Sequence, residues 1–123
     1  MKSPNIIYNV GIDIVSVKRF EMIRFSEKPS FYKKIFLASE IKYCMKFKNP
    51  YTHFAGKFAL KEATKKALNK KIGMLNIETY HKKSVPHLKL KSKIGKNYEF
   101  GVSVSHENEF AIAIVFVKNI LNR

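Results

Sequence analysis

Two carboxylates stand where the surrounding pattern asks for apolar side chains, and both suit the binding of a hard cation. Asp13 interrupts the β-branched run IIYNVGIDIV at 6–15, just after Gly11. An acid is disfavoured inside such a strand, and a nearby glycine lets a ligand or another backbone come close. Glu62 follows Phe58 and Ala59 by three or four residues, on or beside the apolar stripe of a helix-forming stretch. It is the only acid between positions 50 and 71, a stretch holding six lysines. An ionised carboxylate against a core is costly unless a cation or hydrogen bonds compensate. Two such groups, if brought together, suit magnesium, which completes a carboxylate site with water and substrate phosphate oxygens. Each also has a plainer account. Asp13 would cap the following helix or pair with a lysine, and Glu62 would pair with Lys66 one turn on.

The third feature is VSVSHENEFAIAIV at 102–115, whose alternation puts His106 on the side of Val102 and Val104 at a strand end. A lone histidine there is more often a hydrogen-bonded structural residue than a catalyst. His53, His81 and His87 show no ligand spacing with a cysteine or with each other, which speaks against zinc. The sequence has no P-loop, dinucleotide-binding glycine fingerprint or nucleophile elbow.

These residues need a scaffold, and the pattern predicts an α+β domain spanning 1–123. Residues 6–15 read as a strand, with Gly11, Asp13 and Val15 on one side and Ile12 and Ile14 on the other. Over 16–26, Val17, Phe20 and Ile23 have helical spacing, with Ser16 as N-cap. The stretch 30–48 reads as two short helices, the second starting at Ser39 with Glu40 near its N-terminus. A long helix is expected over 50–69, capped by Asn49 and started by Pro50, with Ala55, Phe58, Ala59, Ala63 and Ala67 forming an apolar stripe. Past Gly73 the runs shorten and alternate. Strands are expected near 75–81, 86–92, 99–106 and 110–117 in an antiparallel meander, with Glu107-Asn108 in the last turn.

The bulk numbers fit this reading. The chain has 123 residues, 46% hydrophobic, with ten Phe and six Tyr, enough to pack one core. Its single cysteine, Cys44, cannot form an internal disulfide and suits a reducing compartment as a small buried apolar residue. The first fifteen residues carry one Lys and no apolar run of signal-peptide length, and no segment reaches the ~18 apolar residues of a membrane span. A soluble cytoplasmic protein is therefore expected, or an organellar one after removal of a presequence. Lys and Arg total 24 against 9 Asp and Glu, a net charge of +15. Such a field attracts anionic partners without choosing among them.

In order along the chain, GIDIVSVKRF at 11–20, FAGKFALKEATKKAL at 54–68 and VSVSH at 102–106 resemble the signature segments of the holo-(acyl-carrier-protein) synthases. These are short single-domain 4'-phosphopantetheinyl transferases. The resemblance spans nearly the whole chain and implies that family's fold. It implies magnesium on Asp13 and Glu62, Lys66 reaching the phosphates of coenzyme A, and His106 near its 3'-phosphate end. Lys57 stands where a basic residue faces the 3'-phosphate, and Pro86 borders the cofactor. Arg19, with Arg24 as a neighbour, would grip the acidic carrier protein. The resemblance further implies a homotrimer with active sites between subunits, in support of fatty acid biosynthesis. Two places depart from the family pattern. A Gly-Lys-Pro turn is replaced by Ser84-Val85-Pro86, and a glycine-rich loop is reduced to Asn69-Lys70-Lys71-Ile72-Gly73. Both border the adenine and ribose in relatives.

The reaction so implied is attack by a carrier-protein serine on the β-phosphorus of coenzyme A, releasing adenosine 3',5'-bisphosphate. Its barrier is one of alignment and charge neutralisation. Lys66 would stabilise charge on the leaving group, and Glu62, directly or through water, is the preferred acceptor of the serine proton. A small basic nucleic-acid-binding module would also explain the charge. It leaves Asp13 and Glu62 unexplained, since they would repel phosphate without a metal, so no nucleic-acid partner is expected. A catalytically dead relative is the other rival, and the retained Asp, Glu, Lys and His argue against it.

Overall fold

The β-branched opening forms β1 (Ile6–Ser16), and the apolar C-terminal run forms β5 (Phe110–Ile120), which pairs with it antiparallel along its length. These belong to a computed structural model that describes residues 6–91 and 97–120. Between the two strands come α1 (Lys18–Glu21), α2 (Pro29–Lys33), α3 (Ala38–Cys44) and α4 (Pro50–Leu68). A 3-10 turn at Met74–Asn76 follows, then β2 (Ile77–Lys82), β3 (Val85–Leu90) and β4 (Tyr98–His106). β5 lies in the centre of a sheet ordered β1-β5-β4, while β2 and β3 form a separate hairpin. Among the described residues, the expected meander is thus two hairpins.

The long helix is as the sequence predicts. Asn49 accepts a hydrogen bond from the Tyr51 N–H at 3.1 Å, Pro50 occupies the first turn, and Asn69 ends the helix in the left-handed region at φ 52°. The expected stripe of Ala55, Phe58, Ala59, Ala63 and Ala67 is buried. Gly11 explains how closely helix and sheet approach. A Cβ placed there would lie 2.0 Å from the Ala63 carbonyl oxygen and 2.7 Å from the Ala67 nitrogen. Only glycine lets β1 cross α4 at this point, and the crossing sits beside Glu62 and Lys66.

The helix expected over 16–26 shrinks to the single turn α1, and Ser16 is not its cap. Ser16 stays in β1, paired with Phe110, and the Val17 N–H donates to the Glu109 carbonyl at 2.9 Å. Sheet pairing therefore holds the residues that would have begun a longer helix. The apolar spacing still serves, because Val17 and Phe20 are fully buried. Phe20 packs within an aromatic cluster of Tyr32, Phe36, Phe54 and Phe58. The second of the two short helices begins one residue earlier than expected, at Ala38.

Candidate functional site

Asp13 points inward from β1, on the side of Gly11 and Val15, while Ile12 and Ile14 face out. Its Oδ1 accepts a hydrogen bond from Lys66 Nζ at 3.0 Å, and the same ammonium donates to the Ile12 carbonyl at 3.0 Å. Lys66 thus ties α4 to β1 at the carboxylate. The intrahelical partner expected for Glu62 is displaced in consequence. Glu62 pairs instead with Lys65, three residues on, at the loose distance of 3.9 Å. Since Glu62 precedes Lys66 by one helical turn, it shares the face that meets Asp13. Both carboxylates keep contact with solvent, Asp13 at 16% and Glu62 at 31% side-chain exposure. Two oxygen-only ligands with open positions match what magnesium takes from a protein. Among the described residues no cluster of three or more His, Cys, Asp or Glu could hold a metal, so any cation here would draw its other ligands from water and substrate.

The second part of the site is a cavity of about 240 Å³ between the first half of α4, the β2–β3 hairpin and the end of β4. Lys57, Pro86 and His106 all line it. The inward faces of the sheet relate the two parts. Asp13 opposes Ala113 on β5, which opposes Val104 on β4, so Asp13 and Val104 share a row roughly 9–10 Å across. His106 lies one row further along. At Gly56 the helix comes close to this strand, where a Cβ would meet Val104 Cγ1 at 3.4 Å and His106 Cδ2 at 3.7 Å. Of the two departures from the family pattern, Ser84 and Pro86 border the cavity. Lys70, Lys71, Ile72 and Gly73 border a different hollow past the C-terminus of α4.

Several residues at the cavity carry no signal that sequence spacing could have found. The His53 ring stacks on Phe47 at 3.6 Å and meets His106 edge-on at 5.0 Å, and His81 stacks on Tyr43 at 4.4 Å. Burial, with the nearby His106, His81 and Lys57, pulls the His53 imidazole down to about 4. His81 is lowered for the same first reason, burial, with Lys57, His87 and His106 adding to it. Lys57 is only 4% exposed, and its Nζ donates to Thr79 Oγ1 at 3.0 Å and to the Thr79 carbonyl at 3.3 Å. Burial also pulls this ammonium below the usual lysine value. Behind it lies Glu40, which at sequence level is only a favourable acid near a helix start. Its carboxylate is buried and accepts from Lys61 Nζ, Leu37 N–H and both the N–H and hydroxyl of Thr79.

Arg19 and Arg24 are exposed beside α4. The Arg19 guanidinium lies 4.9 Å above the Phe58 ring and that of Arg24 5.7 Å above Tyr51, contacts that fix both charges at the surface. The outer face of the sheet is apolar and open. Val10, Ile12 and Ile14 of β1 stand beside Ile112, Ile114 and Phe116 of β5, with Ile14 60% exposed. A contiguous patch of this kind marks an interaction surface. Among the described residues no helix is long and apolar enough to cross a membrane.

Comparison with known proteins gives the family and the fold. Residues 9–115 match the 4'-phosphopantetheinyl transferase superfamily. The chain is 38% identical over 114 residues to the holo-(acyl-carrier-protein) synthase of Thermodesulfovibrio yellowstonii, covering 90% of this chain and 98% of that one. It is similar to the crystal structure of the Helicobacter pylori holo-(acyl-carrier-protein) synthase in complex with coenzyme A. There the TM-score is 0.75 and the identity 37%, over 88% of this chain and 98% of that one. The Bacillus anthracis holo-(acyl-carrier-protein) synthase, in complex with CoA (3',5'-ADP), gives a TM-score of 0.79 at 27% identity, over 94% and 99%.

Proposed function

Because the chain belongs to the 4'-phosphopantetheinyl transferase superfamily, we propose that Asp13, Glu62 and Lys66 carry out phosphopantetheine transfer at the crossing of β1 and α4. The protein acts as a holo-(acyl-carrier-protein) synthase, moving 4'-phosphopantetheine from coenzyme A to a serine of an apo-acyl carrier protein. The observation that carries the site assignment is the Lys66–Asp13 contact at 3.0 Å. It joins an exposed ammonium to one carboxylate, on the helical face that presents the other.

Asp13 and Glu62 would hold a magnesium ion, which when bound supplies positive charge beside the pyrophosphate. The chain's own residues do the rest. The serine oxygen forms a bond to the β-phosphorus as the pyrophosphate P–O bond breaks, and adenosine 3',5'-bisphosphate leaves. The serine proton passes to the Glu62 carboxylate, whose hold on Lys65 is loose enough to release it. Lys66 stabilises charge on the departing phosphate as a positioned cation. The cavity lined by Lys57, Pro86 and His106 receives the nucleotide end.

The surfaces support a reading of partner and assembly. Arg19 and Arg24 form a basic docking face for an acidic carrier protein, where complementary charge speeds encounter. The outer face of the sheet supports self-association as a homotrimer. Ile12 and Ile14 flank Asp13 in the chain but point to the other side of the sheet, so a second subunit seated there would pack behind the strand that carries the carboxylate. We take the active sites to lie between subunits on the family resemblance alone. We take 1–123 as one domain, working in the cytoplasm in support of fatty acid biosynthesis, in keeping with a single buried thiol.

The test is incubation with an apo-carrier protein, coenzyme A and magnesium, read by mass spectrometry. Addition of phosphopantetheine is expected, with loss of the product when the metal is chelated. Absence of addition across several acidic carrier proteins would overturn the reading.

A further inference from the structure

Lys57 owes its position to a chain of contacts outside the transfer site itself. An ammonium has three donors and no acceptor. Two of those of Lys57 go to the Thr79 carbonyl and hydroxyl. The Thr79 hydroxyl can only accept from Lys57, so its own hydrogen goes elsewhere, to Glu40 Oε2 at 2.6 Å. The Thr79 N–H donates to the same oxygen at 2.8 Å, while Glu40 Oε1 takes Lys61 at 2.7 Å. Glu40 and Lys57 therefore fix the direction of one hydroxyl, with its hydrogen on the carboxylate and its lone pair on the lysine.

This arrangement differs from an ordinary ion pair in its effect. A carboxylate in direct contact would neutralise Lys57, whereas a solvated lysine would wander. Here the acid stands one hydroxyl away, so the charge is held in place without being cancelled, and among the described residues one donor remains. Tyr43 presents its ring face 4.8 Å from the ammonium, closing a further side. Lys57, Thr79 and Tyr43 all line the cavity that His106 closes.

We propose that Thr79, backed by Glu40, is a positioning residue that holds the Lys57 ammonium ready for a phosphate monoester in this cavity. It thereby sets the preference for coenzyme A over its 3'-dephospho form. This rests on the reading that the cavity receives the nucleotide end of the donor. Thr79 does not touch the reacting atoms and acts through Lys57 alone, so its effect belongs to binding of one phosphate and not to the chemical step.

The test uses Thr79→Val, which keeps shape but removes the hydroxyl, and Thr79→Ser, which keeps the hydroxyl. With the full chain and an apo-carrier protein, Thr79→Val is expected to raise KM for coenzyme A about tenfold, the scale of one charge-assisted contact. Its kcat stays within about twofold, and KM for 3'-dephospho-coenzyme A does not move. Thr79→Ser stays near wild type for both donors. A Thr79→Val variant that raises both KM values equally, or neither, would overturn the proposal. Calorimetry with adenosine 3',5'-bisphosphate and adenosine 5'-monophosphate separates this from the wider reading, since it needs no transfer. Loss of affinity confined to the bisphosphate supports the role of Thr79 even where transfer fails. Equal affinity of the wild-type chain for the two nucleotides overturns it without any variant.

Discussion

The molecule contains two carboxylate–lysine contacts that look alike on paper and sit in opposite surroundings. Glu40 and Lys61 meet at 2.7 Å with both side chains at 0% exposure. Asp13 and Lys66 meet at 3.0 Å with 16% and 55%. In the first pair every hydrogen of the ammonium is used, by Glu40 and by the carbonyls of Ile35 and Met74. Burial still outweighs the pull of Glu40, and the Lys61 ammonium is held below its usual value. Such a pair cannot change partners without leaving a charge stranded in the core. In the second pair water competes for both ions, and exchanging Lys66 or Asp13 for a cation or a phosphate costs little. The lesson is one of division: the dry pair locks α3, α4 and β2 together, and the wet pair is free to work.

The largest expected effect comes from breaking the dry pair. Glu40→Ala should cost ~3–5 kcal/mol, because it strands Lys61 and removes the acceptor for Thr79 and Leu37. Lys61→Met should cost a similar amount. The Glu40→Ala/Lys61→Met double variant should be more stable than the sum of its parts, as denaturant unfolding of the four proteins would measure. Additive losses would mean that the two charges are not coupled. The two carboxylates of the wet region, Asp13 and Glu62, should respond in the opposite way. Asp13→Asn and Glu62→Gln should each change stability by no more than ~1 kcal/mol. Both should lower magnesium-dependent transfer by at least ~100-fold. A large loss of stability without loss of turnover in either variant would erase the distinction.

The two acids of the wet region, Asp13 and Glu62, stand out in the sequence because each breaks a pattern. Asp13 interrupts a β-branched strand, and Glu62 is alone among lysines on a helix with an evident apolar stripe. The dry pair was not legible. Lys57 and Lys61, four residues apart, have the spacing of a solvated helix face. Nothing local tells that β2 and α3 close over that face. Glu40 near a helix start has a sufficient local explanation, and indeed its carboxylate does accept from the Leu37 N–H at 2.7 Å. Its second and third partners come from positions 61 and 79, and only the tertiary fold brings them near. Ser16 failed as a cap for the same reason, since strand pairing to Phe110 is a long-range contact that local capping chemistry cannot foresee. The fold class and element order survived because periodicity is local, whereas the division of the meander into two hairpins depends on which strand edges meet.

A smaller effect would test how far the dry region extends toward the cavity. His53 sits on the N-terminal half of α4, stacked on Phe47 and edge-on to His106, and burial lowers its imidazole from 6.5 to about 4. In the unfolded chain this ring takes a proton as the pH falls through 6.5, while in the folded chain it resists until about 4. Across that window the unfolded state binds more protons, so stability must fall as the pH falls. Above 6.5 the ring is neutral in both states and contributes no slope. Thermal melts at steps across this window should show a falling Tm, and His53→Phe, which keeps the stack on Phe47, should flatten part of the slope. His81 is lowered in the same direction, so His53→Phe should leave a residual slope that a further His81→Phe substitution reduces. An unchanged slope in both variants would show that water reaches these rings freely. The dry region would then end at Lys57 and Thr79, short of the histidines that border the cavity.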